Sequence, residues 1–252
     1  MTGLAEVAAR LLPTSRITVL TGAGVSAASG VPTFRGSDGL WRRFRPETLA
    51  TPEAFNRDPR LVWEWYDWRR GLIAQCRPNR AHDVLAAWSQ RFPRLTVITQ
   101  NVDGLHQAAG TRDVVSLHGS IWHVRCHRGC GPGAVAWRDD RVPIVEEGAS
   151  LPACPHCGGL IRPAVVWFGE PLDPAILQRA CAAAACDMFF AIGTSAVVHP
   201  AASLLYDAKR RGAFTVEINP ASTDASESVD VVIAAPAEVA LDALDSQLGR
   251  GV

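Results

Sequence analysis

The sequence predicts an α/β fold, a doubly wound parallel sheet with a smaller second lobe. Short apolar runs alternate with helix-like amphipathic stretches along most of the chain, which is typical of a parallel sheet covered on both faces. A glycine-rich turn follows the first apolar run, and a stretch rich in cysteine, glycine and proline interrupts the alternation between residues 119 and 162. A chain of 252 residues with 48% hydrophobic content can bury a large core around such a sheet.

Composition excludes several classes of protein. The formal net charge is zero, so no basic excess indicates a nucleic-acid partner. Glu6 and Arg10 interrupt the apolar pattern of the N-terminus, which therefore predicts a first helix and not a signal peptide. The most apolar region, residues 181–205, is broken by polar residues, glycine and proline. We expect a soluble cytoplasmic monomer with no nucleic-acid or membrane partner.

The first predicted strand, residues 17–20, leads into T-G-A-G-V-S-A-A-S-G-V-P-T-F-R at residues 21–35. Gly22, Gly24 and Ala27 match G-x-G-x-x-G/A, the turn from a strand into a helix whose N–H groups face a pyrophosphate. A standard dinucleotide-binding unit also places an acid on the ribose about twenty residues further on. Glu47 has that spacing, but its surroundings do not predict a strand. We therefore predict a nucleotide site that is not a standard dehydrogenase fingerprint.

Hydrophobic periodicity predicts the elements that follow. Helices are predicted at residues 61–70, 81–90, 174–185 and 200–211 and at the C-terminus. Strands are predicted at residues 95–99, 114–117, 164–168, 188–192, 214–218 and 229–234. We assign residues 1–39, 81–120 and 162–252 to a Rossmann-like domain, and residues 40–80 (helical) and 121–161 (cysteine-containing) to the small lobe.

Polar residues collect where these strands end, which is where such sheets bind ligands. His118 follows a strand and precedes a glycine, so its ring is free to meet a ligand and to act as a general base. His106 is the alternative base, although its segment predicts a helix. The other strand-end residues are Gln100, Asn101, Asp103, Gly193, Thr194, Ser195, Glu217 and Asn219.

Several segments occur in an order that resembles the sirtuins, the NAD-dependent protein lysine deacylases. They are G-A-G-V-S-A-A-S-G-V-P-T-F-R, T-Q-N-V-D-G-L-H, L-H-G, two cysteine pairs, V-V-W-F-G-E, G-T-S and E-I-N, within residues 17–219. The resemblance implies that NAD is a co-substrate whose nicotinamide–ribose bond is cleaved without hydride transfer. The products would be free lysine, nicotinamide and O-acyl-ADP-ribose.

The resemblance also implies roles for individual residues. His118 would be the base that activates a ribose hydroxyl, and Asn101 and Arg35 would be catalytic with it. The NAD-binding residues would be Gly22, Ala23, Gly24, Ser26, Ala27, Thr33, Phe34, Arg35, Trp41, Gln100, Asn101, Asp103, Gly193, Thr194, Ser195 and Asn219.

Four clustered cysteines, Cys126, Cys130, Cys154 and Cys157, indicate a metal in a reducing compartment. Four thiolates leave zinc no open position, so the resemblance implies one structural zinc ion. Three residues separate the first pair, one more than in C-x-x-C, and this leaves His127 or His156 open as a substitute ligand.

Tyr66 and Arg69 share one face of the predicted helix. Arginine can grip a carboxylate through two parallel N–H bonds, and a tyrosine hydroxyl can add a third. This Y-x-x-R resembles the signature of class III sirtuins, which accept succinyl- and malonyl-lysine, and Ala50 matches the small residue that makes room for the longer chain. The alternatives are an exposed Arg69 on an ordinary helix, and a plain deacetylase.

The acylated protein substrate would lie as an added strand between residues 165–170 and 196–199, as in sirtuins. The predicted contacts are Val166, Trp167, Phe168, Gly169, Glu170 and Val197.

Three other classes of protein are the rivals of a sirtuin, and each predicts a different result. A dehydrogenase would reduce the cofactor, an ADP-ribosyltransferase would label its protein target, and a non-catalytic zinc module would not bind NAD.

Overall fold

The chain folds around a six-stranded parallel sheet and a three-stranded antiparallel sheet. The structure, a computed structural model, describes residues 1–33, 46–145 and 149–249, with backbone only at residues 46 and 47. Among the helices of these ranges, none has the length and apolar character needed to cross a membrane.

Helices and strands alternate through most of the described chain. The helices are α1 (Leu4–Arg10), α2 (Pro46–Leu49), α3 (Pro52–Arg57), α4 (Pro59–Gln75), α5 (Arg80–Arg91), α6 (Leu105–Ala108), α7 (Pro174–Ala183), α8 (Ala201–Arg210) and α9 (Ala237–Gly249). The strands are β1 (Ile17–Thr21), β2 (Leu95–Thr99), β3 (Val114–Ser116), β4 (Gly119–Cys126), β5 (Trp137–Arg138), β6 (Ile161–Val165), β7 (Met188–Ile192), β8 (Phe214–Ile218) and β9 (Val231–Ile233).

The large sheet has the order β3-β2-β1-β7-β8-β9, and its strands pair in parallel. Val19 and Phe190 enter the core shared with α1, α5 and α9, whereas Leu20 and Phe189 enter the core shared with α7 and α8. Because both faces are covered, every residue of β1 and β7 is buried, which explains the continuous apolar sequence of β7 and the largely apolar sequence of β1. The predicted doubly wound sheet is confirmed.

Register brings the carboxyl ends of the central strands to one level. Thr21 at the end of β1 lies opposite Thr99 of β2 and Ile192 of β7. The loops that follow these three strands therefore emerge side by side. A single edge of the sheet receives the residues that were predicted at strand ends.

The small sheet, in the order β5-β4-β6, differs from the sequence prediction. Residues 119–162 were expected to be irregular, yet β4 is an eight-residue strand. The strand predicted at residues 164–168 lies earlier, as β6 (Ile161–Val165), and it pairs with β4 instead of joining the parallel sheet. A register irregularity between Gly119 and Val124 breaks the alternation of β4, and this concealed the strand in the sequence.

Candidate active site

A cavity of about 1200 Å³ lies at the carboxyl edge of the large sheet and extends to α4. Its lining includes the loops after β1, β2, β7 and β8, the residue His118 after β3, and the segment after β6. Pockets for one small molecule occupy about 300–1000 Å³. This cavity therefore has room for a large ligand together with part of a second one.

The loops after β1 and β7 meet backbone to backbone. Gly22 N donates to Ile192 O over 3.1 Å, and Gly24 N donates to Gly193 O over 2.8 Å. A Cβ on Gly24 would lie 2.7 Å from Gly193 Cα, and Gly193 itself has a φ of +58°. Only glycine fits at both positions, so the two loops pack in direct backbone contact where the chain enters a 3-10 helix (Ala23–Ser29). That helix takes the place of the α-helix typical of a dinucleotide-binding turn.

A buried polar network supports the loop after β2. The amide of Asn101 donates to Gly22 O over 3.1 Å and to Ser26 Oγ over 3.2 Å. Ser26 Oγ in turn donates to Asp103 Oδ2 over 2.8 Å. Asn101 lines the cavity, whereas Ser26 and Asp103 do not line it. Ser26, which is itself bonded to Asp103, therefore helps to hold the Asn101 amide in place.

Side chains also link the loops after β2, β7 and β8. Gln100 Nε2 donates to Thr194 Oγ1 over 2.9 Å, and Asn219 Nδ2 donates to Thr194 O over 3.0 Å. These three residues and Ser195 line the cavity. The polar residues predicted at separate strand ends are thus brought together.

His118 has the geometry of a general base. Its Nδ1 lies 2.9 Å from Gln100 O, and because a carbonyl only accepts, Nδ1 carries the proton. The neutral ring therefore has a free lone pair at Nε2. Burial lowers the pKa of His118 from 6.5, and the bond to Gln100 O opposes this shift only in part. The imidazole is consequently neutral at physiological pH.

His106, the alternative base, lies outside the cavity lining. Its ring is 1% exposed, and Nε2 is 3.0 Å from Thr21 Oγ1. Burial, with a smaller effect of His82, lowers the pKa of His106 to about 3. Such a group cannot reach a ligand, which leaves His118 as the base that the geometry favours.

Tyr66 and Arg69 of α4 line the other end of the cavity together with Ala50. They are 2% and 6% exposed, so the alternative of an exposed Arg69 is wrong. Burial lowers the pKa of Arg69, with opposing effects of Tyr66 and Asp103. Burial raises the pKa of Tyr66 against the effect of Arg69, so the hydroxyl keeps its proton. This end of the cavity presents a cation and a hydroxyl.

The segment after β6 connects the two ends of the cavity. Val166 N donates to His118 O over 3.0 Å, and Phe168 N donates to Ala50 O over 2.9 Å. Residues 165–170 line the cavity, while Val197 does not, although Val198 does. Phe168 is 46% exposed and Val197 is 37% exposed, so two apolar side chains remain accessible at these segments.

The four cysteines of the small lobe form a compact cluster. Their Sγ atoms lie within 4.8 Å of one another, with Cys126 3.6 Å from Cys157 and Cys130 3.6 Å from Cys154. A tetrahedral zinc site with Zn–S bonds of about 2.3 Å has sulfur atoms about 3.8 Å apart, whereas a disulfide is about 2.05 Å long. The cluster therefore fits one zinc ion.

Neither histidine replaces a cysteine ligand. His127 Nε2 lies 2.8 Å from Asn56 Oδ1, and the cluster of possible ligands in the described residues contains neither His127 nor His156. Gly133 makes the tight packing possible, since a Cβ there would lie 2.7 Å from Cys130 Sγ. Because none of the four cysteines lines the cavity, a bound zinc would be structural.

Three predicted residues, Phe34, Arg35 and Trp41, lie outside the described residues. The cavity also has lining that sequence reasoning missed. Trp65 stands four residues before Arg69 on the same helix face, and this spacing could have identified it. Pro236 and Ala237 follow β9, so the strand-end rule applied to β9 could have identified them as well.

Comparison with known proteins matches residues 22–200 to the Sir2 family model. A protein of Aquifex aeolicus (strain VF5) named "NAD-dependent protein deacylase" is 51% identical over 216 residues, covering 85% of this chain and 87% of that protein. A solved structure described as a Sir2 homolog–NAD complex has a TM-score of 0.88 and 43% identity, covering 98% of this chain and 94% of that one. A second, described as Sir2–p53 peptide–NAD+, has a TM-score of 0.83 and 28% identity, covering 100% and 99%.

Proposed function

This chain belongs to the Sir2 family, and on that premise we propose that it is an NAD-dependent protein lysine deacylase that prefers acyl groups ending in a carboxylate. The observation that carries the acyl preference is the buried pair Tyr66 and Arg69 in the cavity that also holds His118. The similar protein from Aquifex aeolicus and the similar Sir2 homolog–NAD complex support the activity and the co-substrate.

The described residues fit NAD. Gly22, Gly24 and Gly193 form a narrow wall of the cavity whose backbone contacts leave no room for a Cβ, and the pyrophosphate would lie along this wall. Gln100 and Asn101 would hold the nicotinamide half, and Thr194, Ser195 and Asn219 would hold the adenosine half. Bound NAD supplies an electrophilic ribose carbon and a leaving group in nicotinamide.

His118 would accept a proton at Nε2 while Nδ1–H stays on Gln100 O. That carbonyl favours the charged ring, so it stabilises the imidazolium after the proton has moved. Phe168 and the segment after β6 would bind the substrate peptide by strand addition, which makes little demand on its sequence.

Arg69 would bind the terminal carboxylate of a succinyl or malonyl group through two parallel N–H bonds. The Tyr66 hydroxyl would add a third bond, and Ala50 leaves space for the longer chain. Burial strengthens each of these bonds, because the local dielectric constant is low. An acetyl group has no carboxylate and gains none of them.

The test uses one lysine peptide carrying acetyl, malonyl or succinyl, incubated with and without NAD and analysed by mass spectrometry. We expect NAD-dependent loss of each group, with succinyl and malonyl removed faster than acetyl. Arg69→Met should lower the succinyl-to-acetyl ratio of kcat/KM by about a hundredfold, as expected for the loss of a bidentate bond to a charged group. Arg60→Met is the matched control, since Arg60 is on the same helix outside the cavity lining.

The two rival enzyme classes and a plain deacetylase each give a different outcome in this experiment. Reduced cofactor would indicate a dehydrogenase, and ADP-ribose left on the peptide would indicate a transferase. Removal of acetyl with no removal of succinyl would indicate a plain deacetylase and would refute the acyl preference alone.

A further inference from the structure

Trp167 makes a hydrogen bond in which the Tyr66 hydroxyl oxygen is the acceptor. Its indole Nε1 lies 2.9 Å from the Tyr66 hydroxyl oxygen, across 101 residues of sequence. Tyr66 and Trp167 are each 2% exposed, and both residues line the cavity. An indole N–H only donates, so in this bond the phenol oxygen is the acceptor.

The single proton of the Tyr66 hydroxyl is therefore not used by Trp167. Burial raises the pKa of Tyr66, so that proton remains on the oxygen at physiological pH. Within the part of the chain that the structure describes, Trp167 is the hydrogen-bond partner of this hydroxyl. The proton is available to an acceptor that enters the cavity.

Trp167 is itself held from two sides. The Arg162 guanidinium lies 3.3 Å over the centroid of the Trp167 ring. Arg162 also grips Glu170 through Nη1 and Nη2, at 2.5 and 2.9 Å, and Glu170 Oε2 accepts from Trp167 N over 2.9 Å. Phe55 packs against the indole with ring centroids 5.4 Å apart. These contacts fix the plane of the indole and hence the direction of its N–H.

We propose that Trp167, fixed by Arg162 and Glu170, is a positioning residue for Tyr66. Its N–H occupies the phenol oxygen as an acceptor, so that the Tyr66 hydroxyl acts as a hydrogen-bond donor to the terminal carboxylate of the acyl group. The inference rests on the proposed acyl preference and adds a specificity determinant outside the Y-x-x-R pair. Because Trp167 uses one lone pair of the phenol oxygen, the proton of the hydroxyl serves a different acceptor, and the cavity that Tyr66 lines is where a ligand can supply one. A carboxylate offers an acceptor there, whereas the methyl group of acetyl does not.

The test is Trp167→Phe, which removes the donor and keeps an aromatic ring. We expect the succinyl-to-acetyl ratio of kcat/KM to fall about fivefold, the usual effect of one weakened hydrogen bond, mainly through a higher KM for the succinyl peptide. Tyr66→Phe should lower the ratio further, and adding Trp167→Phe to Tyr66→Phe should change nothing more. Such non-additivity indicates that both residues act through one bond.

Trp63→Phe is the matched control. It also removes a buried indole donor, whose Nε1 donates to Ile161 O over 3.0 Å, but Trp63 does not line the cavity. Its ratio should equal that of the wild type even if its thermal stability falls. If Trp167→Phe fails to fold, Glu170→Gln is the second variant. It weakens the support of the indole and should lower the succinyl-to-acetyl ratio about twofold, because the hydrogen bond from Trp167 to Tyr66 is weakened but not lost.

An unchanged ratio in Trp167→Phe, or in Glu170→Gln where the first variant does not fold, would overturn the inference. Additive effects of Tyr66→Phe and Trp167→Phe would overturn it too. Both results differ from failure of the proposed function, in which either the wild-type protein removes no succinyl group or Arg69→Met leaves the succinyl-to-acetyl ratio unchanged.

Discussion

The two ends of the cavity are built in different ways. The sheet-edge end, formed by Gly22, Gly24, Gln100, Gly193 and Asn219, is joined by hydrogen bonds between loops that leave neighbouring parallel strands. The end proposed to bind the acyl group, here called the acyl end, is formed by Ala50, Tyr66, Arg69 and Trp167 and depends on side chains of elements that are distant in sequence. Strand register fixes the first, whereas side-chain packing fixes the second. Substitutions at the acyl end can therefore alter substrate choice without moving the sheet-edge end.

This comparison predicts that damage at the sheet-edge end affects all acyl groups equally. The largest effect is expected for His118→Asn, which removes the proposed base. An asparagine amide can still donate to Gln100 O, so the fold should persist. We expect kcat/KM to fall about a thousandfold for acetyl and succinyl peptides alike, a typical contribution of general base catalysis.

The measurement is nicotinamide release with each peptide, with thermal unfolding as the control for the fold. A loss confined to one acyl group would contradict the division of the cavity into two ends. Full residual activity in a folded variant would remove His118 from the role of base.

The sheet-edge end was largely predictable because a parallel sheet converts sequence position into spatial position. Residues that follow Thr21, Thr99 and Ile192 must meet, since register aligns those three residues. Apolar runs and the turn glycines are enough to locate such strand ends. The same rule predicts His118, which follows β3, at this edge of the sheet.

The acyl end was predictable only in part. Helical spacing put Tyr66 and Arg69 on one face, and resemblance gave them a role. The bond from Trp167 to Tyr66 depends on how the segment after β6 packs on α4, and no local pattern encodes that packing. The small sheet was missed for a related reason, since the irregular register of β4 removed the period-two signal.

A smaller loss of activity, again equal for the acetyl and succinyl peptides, is expected for Gly24→Ala. The added Cβ would lie 2.7 and 2.8 Å from backbone atoms of Gly193, which cannot yield as a flexible side chain would. Overpacking of this kind costs about 2 kcal/mol of stability. We expect the loop after β1 to relieve the clash by moving away from Gly193, so that NAD binding loses a comparable free energy, equivalent to about thirtyfold. We expect kcat/KM for NAD to fall by that factor with either acyl peptide, mainly through KM.

Gly131→Ala serves as its control, because a Cβ there meets nothing within 4 Å. NAD titrations with acetyl and succinyl peptides would test the prediction. A change in the succinyl-to-acetyl ratio caused by Gly24→Ala would mean that the two ends are mechanically coupled.

The smallest expected difference is between the pH profiles of the two acyl substrates. His118 must be neutral to accept a proton, and burial lowers its pKa from 6.5, so activity should be lost only as the pH falls through a value below 6.5. A terminal carboxyl group has an ordinary pKa of about 4.3, and Arg69 would lower that pKa further. The succinyl peptide should therefore show no additional acid limb above about pH 5.

Profiles of kcat/KM for both peptides should coincide between about pH 5 and 8 after scaling, and circular dichroism over the same range would confirm that the protein stays folded. An acid limb at or above pH 6.5 would argue against a buried imidazole as the base, whereas a limb seen with succinyl alone would locate a titrating group at the acyl end.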